Sequence, residues 1–251
     1  MTVTIVAVAS VKGTGGVTAT ALGLAALGHE MCGDAMLIEA DPSGGSLLGW
    51  SEHLHAGRTA LYEAITDGDI GRGMQRLGNV RVLPAQGDPW KVTVALENVR
   101  NWRRLLEPAG ELAVVDVGRL YPGSPVSRIV GEADVIVLVA PAEAAPIAAT
   151  LQWASRGGRR GVADPVFDAG RMRLVTVDVS KGRRSGVDPR SLVRDDLGIA
   201  YAGHVPFDEA ALSLLCRGSG TTHRSINRSK LVYAHRALAG NVLGDRIGAQ
   251  R

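Results

Sequence analysis

Short hydrophobic runs alternate along this chain with longer segments in which apolar and polar positions mix at helical spacing. The runs are rich in Val, Ile, Leu and Ala, as is typical of strands buried on both faces of a parallel sheet. The predicted strands cover residues 3–9, 35–39, 80–84, 111–116, 134–140, 172–178 and 200–205. The predicted helices cover residues 18–28, 58–67, 93–107, 125–131, 143–155, 188–196, 208–217 and 229–240. This alternation predicts an α/β fold with three layers, a doubly wound and mostly parallel sheet of about seven strands flanked by helices.

A glycine-rich loop joins the first predicted strand to the first predicted helix, and it reads Ser10-Val11-Lys12-Gly13-Thr14-Gly15-Gly16-Val17-Thr18-Ala19-Thr20. Glycines permit a tight left-handed backbone, and a helix N-terminus adds a partial positive charge, so the segment is typical of an anion cradle. A phosphate-binding loop reads G-x-x-x-x-G-K-[ST], with the lysine reaching the terminal phosphates. When Gly16 and Thr18 are aligned to that motif, the lysine position is Val17. A plain tight turn is an alternative, and a dinucleotide-binding loop is disfavoured because position 18 is Thr.

Acidic residues end two of the predicted strands. The second strand continues into Glu39-Ala40-Asp41-Pro42, and the fourth ends at Asp116. Ligands of open α/β sheets bind outside the carboxyl ends of the strands. In nucleotide hydrolases, carboxylates at this edge hold Mg²⁺ or orient the attacking water. The structural alternative is that Asp41 caps a turn and Asp116 merely ends a strand.

Composition bounds the class of protein. The chain has 251 residues, of which 45% are hydrophobic and 21% charged, which suits one α/β domain spanning residues 1–251. Its two cysteines, Cys32 and Cys216, are too few and too far apart for a disulfide framework or a zinc site. The sequence begins in a strand without a signal-peptide pattern, and no apolar stretch approaches the roughly 18 residues of a membrane span. We therefore expect a cytoplasmic protein, and the Ala, Gly, Arg and Val bias suggests a bacterial one.

The loop and the acidic segments together resemble the MinD/ParA family of P-loop ATPases. Its "deviant Walker A" motif, K-G-G-x-G-K-T, carries a signature lysine before the loop and the usual lysine inside it. This chain has the first lysine, Lys12, and lacks the second. The resemblance implies ATP or ADP and Mg²⁺ as cofactors, with Thr18, Asp41 and Asp116 at the metal. It also implies catalytic roles for Asp41, which would orient water, and for Lys12, which would reach the partner's nucleotide across a homodimer.

The resemblance continues at lower specificity through residues 80–85, 133–143 and 197–208. It implies that Pro206 and Asp208 contribute to an adenine pocket, with Asp178 where the family usually carries Asn. The nucleotide-binding residues that it implies are Gly13, Thr14, Gly15, Gly16, Val17, Thr18, Ala19, Asp178, Pro206 and Asp208.

Several positions depart from the family pattern. Val17 replaces the loop lysine, Glu39 replaces an Asp whose water it could displace, and Val117-Gly118-Arg119 replaces T-P-P. Phosphoryl transfer depends on positioning and electrostatic stabilisation, so the loss of one cation at the phosphates predicts slow or absent hydrolysis.

Basic residues concentrate in the second half of the chain, although the formal net charge is only +3. One cluster falls within residues 156–194 and another within 217–236, and the predicted DNA-binding residues are Arg183, Arg184, Arg224 and Arg228. A solvated face is the structural alternative. The segment 229–247 lacks Phe and Trp and contains two glycines, so non-specific DNA is favoured over a membrane surface as the partner.

Three classes of function remain open at this stage. The first is a ParA/MinD-like nucleotide-dependent switch that positions a cargo, which could be a chromosome or plasmid, a division site, or a secretion or pilus machine. The second is a nucleotide-independent pseudo-ATPase that acts as a scaffold or DNA-binding adaptor. The third is another enzyme that uses the loop to bind a substrate anion. The sequence names neither the cargo nor the protein partner.

Overall fold

The computed structural model describes residues 2–55, 60–157, 168–181, 188–193 and 198–248. Its eight strands form one sheet in the order β3-β4-β2-β5-β1-β6-β7-β8. Their bounds are β1 Thr4–Ser10, β2 Ala35–Glu39, β3 Gln75–Leu77, β4 Val80–Leu83, β5 Leu112–Arg119, β6 Val135–Pro141, β7 Met172–Val177 and β8 Ala200–Val205. Only β3 pairs antiparallel within the described sheet, and the other neighbours are parallel. The predicted doubly wound α/β fold is therefore confirmed, with eight strands instead of seven.

Helices cover both faces of the sheet. Their bounds are α1 Val17–Cys32, α2 Leu47–Trp50, α3 Leu61–Thr66, α4 Ile70–Gly73, α5 Pro89–Asn98, α6 Trp102–Leu106, α7 Ser127–Glu132, α8 Ala144–Gly157, α9 Glu209–Cys216 and α10 Lys230–Gly248. The buried residues of α1, α9 and α10 join one hydrophobic cluster, and those of α3 to α8 join another on the opposite face. The inner strands β1, β2, β5 and β6 are thus buried on both sides along nearly their whole length, which explains why the sequence shows continuous apolar runs there rather than alternation.

The strand missing from the prediction is β3, at the edge of the sheet. It is only three residues long and alternates buried and exposed positions, so it carries no hydrophobic run. Gly78 and Asn79 connect it to β4, and Gly78 has a left-handed φ of 61°. Glycine adopts this conformation without steric cost, which makes the two-residue hairpin possible.

Two helix predictions were wrong in detail. The predicted helix 93–107 is two helices, α5 and α6, because the Asn101 side chain accepts a 2.8 Å hydrogen bond from the Arg104 N–H and begins a new helix there. The predicted helix 188–196 is a short 3-10 turn at Pro189–Leu192, and residues 194–197 lie outside the described part of the chain.

The strand order determines where a ligand can bind. Strand β1 lies between β5 and β6, and the chain runs first to β2 and β4 on one side, returns through β5, and then continues to β6, β7 and β8. The loops that follow β1 and β5 therefore leave the same edge of the sheet at its centre. This reversal of strand order is the usual ligand crevice of open α/β sheets.

Candidate functional site

The glycine-rich loop lies at this crevice, between the end of β1 at Ser10 and the start of α1 at Val17. Gly13 and Gly16 adopt left-handed φ angles of 69° and 100°. The Ser10 hydroxyl accepts a 3.1 Å hydrogen bond from the Thr14 N–H, which closes the loop on itself. The loop thus has the tight backbone and the helix N-terminus that the sequence predicted, and this geometry suits an anion.

The position of the missing lysine is filled by a core side chain. Val17 is only 5% exposed and belongs to the hydrophobic cluster on the α1 face of the sheet. Lys12, in contrast, is exposed at the start of the loop. Position 17 therefore contributes apolar packing where a typical phosphate loop contributes a positive charge.

Asp116 provides a buried carboxylate beside the loop. It is 1% exposed, its Oδ1 accepts a 3.0 Å hydrogen bond from the Gly118 N–H, and its Oδ2 makes no hydrogen bond of normal geometry within the described chain. Burial raises the pKa of Asp116 to about 7, and the nearby charges of Glu39 and Asp41 add to this, whereas Thr18 and Gly118 lower it. A buried carboxylate oxygen that lacks a well-formed hydrogen bond is costly, so a cation at this point would stabilise the Asp116 carboxylate.

Asp41 lies close to Asp116 because Gly118 leaves space for it. A Cβ atom at Gly118 would lie 2.1 Å from Asp41 Cγ, and Gly118 has a φ of 61°. The Asp41 Oδ1 atom accepts a 2.8 Å hydrogen bond from the Ser43 N–H, which fixes the carboxylate at the end of β2. The structure thus brings together Thr18, Asp41 and Asp116, the three residues predicted at the metal. A hydroxyl and two carboxylates are oxygen ligands suited to Mg²⁺.

Glu39 is a structural residue in this arrangement. Its Oε1 accepts from the N–H groups of Ser46 and Leu47, at 2.5 and 2.9 Å, and its Oε2 accepts from the Ala85 N–H at 3.0 Å. Burial raises the pKa of Glu39, and these hydrogen bonds lower it. The side chain therefore fastens the start of α2 to the end of β4, and both of its oxygens are occupied.

An apolar pocket of about 290 Å³ opens directly beside the loop. The loop and α1 contribute Gly15, Gly16 and Ala19, and the segments after β7 and β8 contribute the predicted residues Asp178, Pro206 and Asp208. Two aromatic residues that were not predicted from the sequence, Trp50 and Phe207, also line the wall and are 43% and 40% exposed. Trp50 is carried to the pocket by α2, a four-residue helix with no periodic sequence signal.

The two predicted carboxylates of the pocket both have partners on the protein. Asp178 Oδ2 lies 3.3 Å from His204 Nε2, and the other ring nitrogen of His204 lies 3.2 Å from the Thr176 hydroxyl. Asp208 caps α9, because its Oδ1 accepts a 3.1 Å hydrogen bond from the Ala211 N–H. These contacts give both residues a structural role at the pocket edge.

Some basic residues hold parts of the protein together, and others are exposed without an ion pair to any described residue. Arg171 pairs with Asp168 and donates to the Gly131 and Ala133 carbonyls, so it braces the loops around β7. Arg224 and Arg228 are exposed in the turns before α10, and neither forms an ion pair with any residue that the structure describes. Arg183 and Arg184, the other two predicted DNA-binding residues, lie outside the described residues.

Comparison with solved structures identifies the fold. The septum site-determining protein MinD from Pyrococcus horikoshii, complexed with Mg-ADP, superposes with a TM-score of 0.70 at 16% identity over 99% of this chain and 98% of that one. A ParA family ATPase from Chlorobium tepidum gives 0.64 at 14% identity, covering 94% and 98%. Apo McdA from Cyanthece gives 0.59 at 15% identity, covering 95% and 100%. Neither a protein-family model nor a curated protein matches the sequence.

What these comparisons show is a fold class, an α/β fold with a mostly parallel sheet. Within that class, the chain has the fold of the MinD and ParA ATPases over 94–99% of its length. The predicted resemblance is thus confirmed at the level of the fold. No helix of the described chain is both long and apolar enough to cross a membrane.

Proposed function

We propose that this protein is a ParA/MinD-like nucleotide-binding protein with slow or absent ATP hydrolysis, which positions a cellular cargo. Partition of a chromosome or plasmid, placement of a division site and siting of a secretion or pilus machine are the cargo classes that the fold suggests. We further propose that it acts as a cytoplasmic, single-domain homodimer with a protein partner.

This proposal rests on one observation: the glycine loop, the acidic cluster and the apolar pocket adjoin one another. The glycine loop suits phosphates, the Thr18, Asp41 and Asp116 cluster suits a divalent cation, and the apolar pocket suits a base. Gly15 and Gly16 belong both to the loop and to the pocket wall, so one ligand can occupy both. A nucleotide with Mg²⁺ combines these three chemistries in one molecule.

Each group would have a distinct task. Mg²⁺ supplies charge neutralisation at the phosphates, and its ligands would be Thr18, Asp41 and Asp116. Trp50 and Phe207 would contact the base, and Asp41 would orient a water. Because Val17 supplies no charge, transition-state stabilisation is smaller by on the order of 3 kcal/mol, which corresponds to roughly 10²-fold in rate.

The direct test is to measure ATP and ADP binding calorimetrically with and without Mg²⁺, together with phosphate release. We expect binding that Mg²⁺ strengthens, and turnover at or near background. ADP should also change the fluorescence of the protein; the change should be lost in Trp50→Phe and kept in Trp90→Phe, since Trp90 does not line the pocket. Robust turnover that Asp41→Ala abolishes would contradict the proposed loss of hydrolysis.

A second candidate function is a nucleotide-independent DNA-binding adaptor, and the free cations Arg224 and Arg228 favour it. It predicts DNA binding that neither ATP nor ADP alters. If the parent protein binds no nucleotide but binds another phosphate or carboxylate compound at the loop, an enzyme acting on that anion becomes the better assignment.

A further inference from the structure

Arg119 is fixed beside the glycine loop by the sheet itself. It is the last residue of β5 and pairs in register with Ser10, the last residue of β1. The Leu120 N–H donates a 2.9 Å hydrogen bond to the Ser10 carbonyl, which holds the two strand ends together. The position of Arg119 relative to the loop is therefore set by backbone pairing rather than by a mobile turn.

The side chain of Arg119 lies along the loop at Gly13. Its Cδ and Cγ atoms lie 3.4 and 4.0 Å from the place that a Cβ of Gly13 would occupy. Gly13 has a φ of 69°, so glycine is favoured there for its backbone conformation. Because the guanidinium is attached directly to Cδ, its charge stays next to the loop.

This charge is free to meet a ligand. Arg119 is exposed, and its side chain forms neither a hydrogen bond nor an ion pair with any residue in the described ranges. A guanidinium presents a planar fork of donors that matches two phosphate oxygens at once. The loop, in contrast, has lost its own cation at Val17, which is buried in the core.

We propose that Arg119 supplies the cation that the loop lacks, and that it binds a phosphate group of the ligand from the β5 side. This inference rests on the proposed nucleotide-binding function and assigns the phosphate contact to a residue of this chain. The charge comes from the start of the loop instead of the N-terminus of α1, so it supports binding without restoring the transition-state contact of a loop lysine. A phosphate contact from Arg119 together with the missing lysine at Val17 would give a protein that binds a nucleotide and hydrolyses it slowly.

The experiment compares Arg119→Ala, Arg119→Lys and the control Arg100→Ala, an exposed arginine in the turn between α5 and α6. Affinities for ADP, pyrophosphate and adenosine are measured by calorimetry at low salt. We expect Arg119→Ala to weaken the binding of ADP and of pyrophosphate roughly tenfold or more, because alanine cannot form a charge-assisted hydrogen bond. The affinity for adenosine should not change. Arg119→Lys should recover part of the affinity, and Arg100→Ala should bind as the parent does.

The remaining outcomes separate the two proposals. If the parent binds ADP and Arg119→Ala binds it equally well, the role of Arg119 is wrong while the proposed function stands. If the affinity for adenosine falls in parallel with that for ADP, Arg119 only shapes the site, and the proposed phosphate contact is wrong. If the parent binds neither ADP nor pyrophosphate, both the proposed function and this inference fail.

Discussion

At Gly118, the absence of a side chain decides where the Asp41 carboxylate lies. The strand predicted to end at Asp116 continues to Arg119, with an irregularity in the pairing of β1 and β5 next to Val117. The Val-Gly-Arg segment that departs from the family pattern therefore does two things. It brings Asp41 against the backbone beside Asp116, and it extends β5 so that Arg119 reaches the loop.

Gly118→Ala should destabilise the protein and displace Asp41. The new Cβ would lie 2.1 Å from Asp41 Cγ on a backbone with a φ of 61°, so both contact and conformation are unfavourable. We expect a decrease of roughly 1–3 kcal/mol in the free energy of unfolding, measured by urea denaturation, and weaker Mg²⁺-dependent nucleotide binding. Gly68→Ala is the matched control, because Gly68 has a similar φ of 69° and no described atom beyond its chain neighbours lies within 4 Å of its Cβ position. Equal stability of the two variants would show that Asp41 does not depend on Gly118.

Val17→Lys should increase nucleotide affinity. The residue is only 5% exposed, so the substitution weakens apolar packing, but the flexible stem of lysine lets the ammonium group reach the loop. One charged hydrogen bond to phosphate is expected to tighten ADP binding roughly tenfold or more in calorimetry. Val17→Met provides similar length without charge and should not tighten it. Undetectable ADP binding in Val17→Lys would mean that the loop is only a turn.

At the scale of elements, one glycine of α1 packs closely against one histidine of α10. A Cβ at Gly23 of α1 would lie 2.2 Å from His235 Cδ2 of α10, so the ring occupies the space above the glycine. His235 is 1% exposed, and its Nδ1 lies 3.0 Å from the Leu231 carbonyl, which favours the neutral ring with a proton on Nδ1. Gly23 costs about 1 kcal/mol of helix propensity relative to Ala, and close packing of the two helices offsets this.

This packing makes stability depend on pH. Burial lowers the pKa of His235 from 6.5 to about 4, so the unfolded chain binds the proton more tightly than the folded one. The contribution of His235 to stability is complete above pH 6.5 and is lost as pH falls towards 4, amounting to about 3 kcal/mol in all.

Urea denaturation across this pH range tests the prediction. The quantity compared is the free energy of unfolding of the parent and of a histidine variant at each pH. Asp116, with its raised pKa, changes stability in the opposite sense as pH falls, so the parent alone would hide the effect of His235. The difference in the free energy of unfolding between the parent and His235→Gln should shrink on acidification. His223→Gln, which changes an exposed histidine, is measured beside it as the control. A constant difference for His235→Gln would show that the ring is already charged or accessible in the folded protein.

At the scale of the whole molecule, the sheet separates two solvent-facing sides that both carry exposed arginines. Arg224 and Arg228 lie on turns whose buried residue, Ile226, belongs to the α1 and α10 cluster. Arg100 and Arg104 lie on the opposite side, next to α5 and α6. DNA should bind to one side of the protein only. The same change in charge on the other side therefore provides an internal control.

Arg224→Glu combined with Arg228→Glu should weaken DNA binding and flatten its salt dependence, by about 0.9 in log–log slope for each phosphate that is no longer neutralised. Arg100→Glu combined with Arg104→Glu should change neither, and the stability of both variants should stay close to that of the parent because the side chains are exposed. Fluorescence anisotropy with duplexes of unrelated sequence provides the measurement. The pair Arg183→Glu and Arg184→Glu is predicted to act like the first variant. Unchanged binding in both predicted pairs, or no binding by the parent at low salt, would exclude DNA as the surface on which the protein acts.

The α/β architecture and the position of the loop between β1 and α1 could be predicted from the sequence, although the edge strand β3 could not. Strands buried on both faces must be apolar throughout, so β1, β2, β5 and β6 are visible as local hydrophobic runs. Residues that follow such strands in a parallel sheet necessarily meet at one edge. For that reason Asp41 and Asp116 could be expected at one edge of the sheet beside the loop, whereas a shared metal site with Thr18 was implied by the family resemblance.

Tertiary structure alone decided the features that depend on contacts between distant segments. Trp50 lines the pocket because Glu39 fastens the start of α2, and no local pattern marks either role. Asp178 is engaged by His204 through the pairing of β7 with β8, and Arg119 lies on Gly13 through the pairing of β5 with β1. Such contacts depend on the register of strands and on the space left by particular glycines, and a one-dimensional pattern of hydrophobic and polar residues specifies neither.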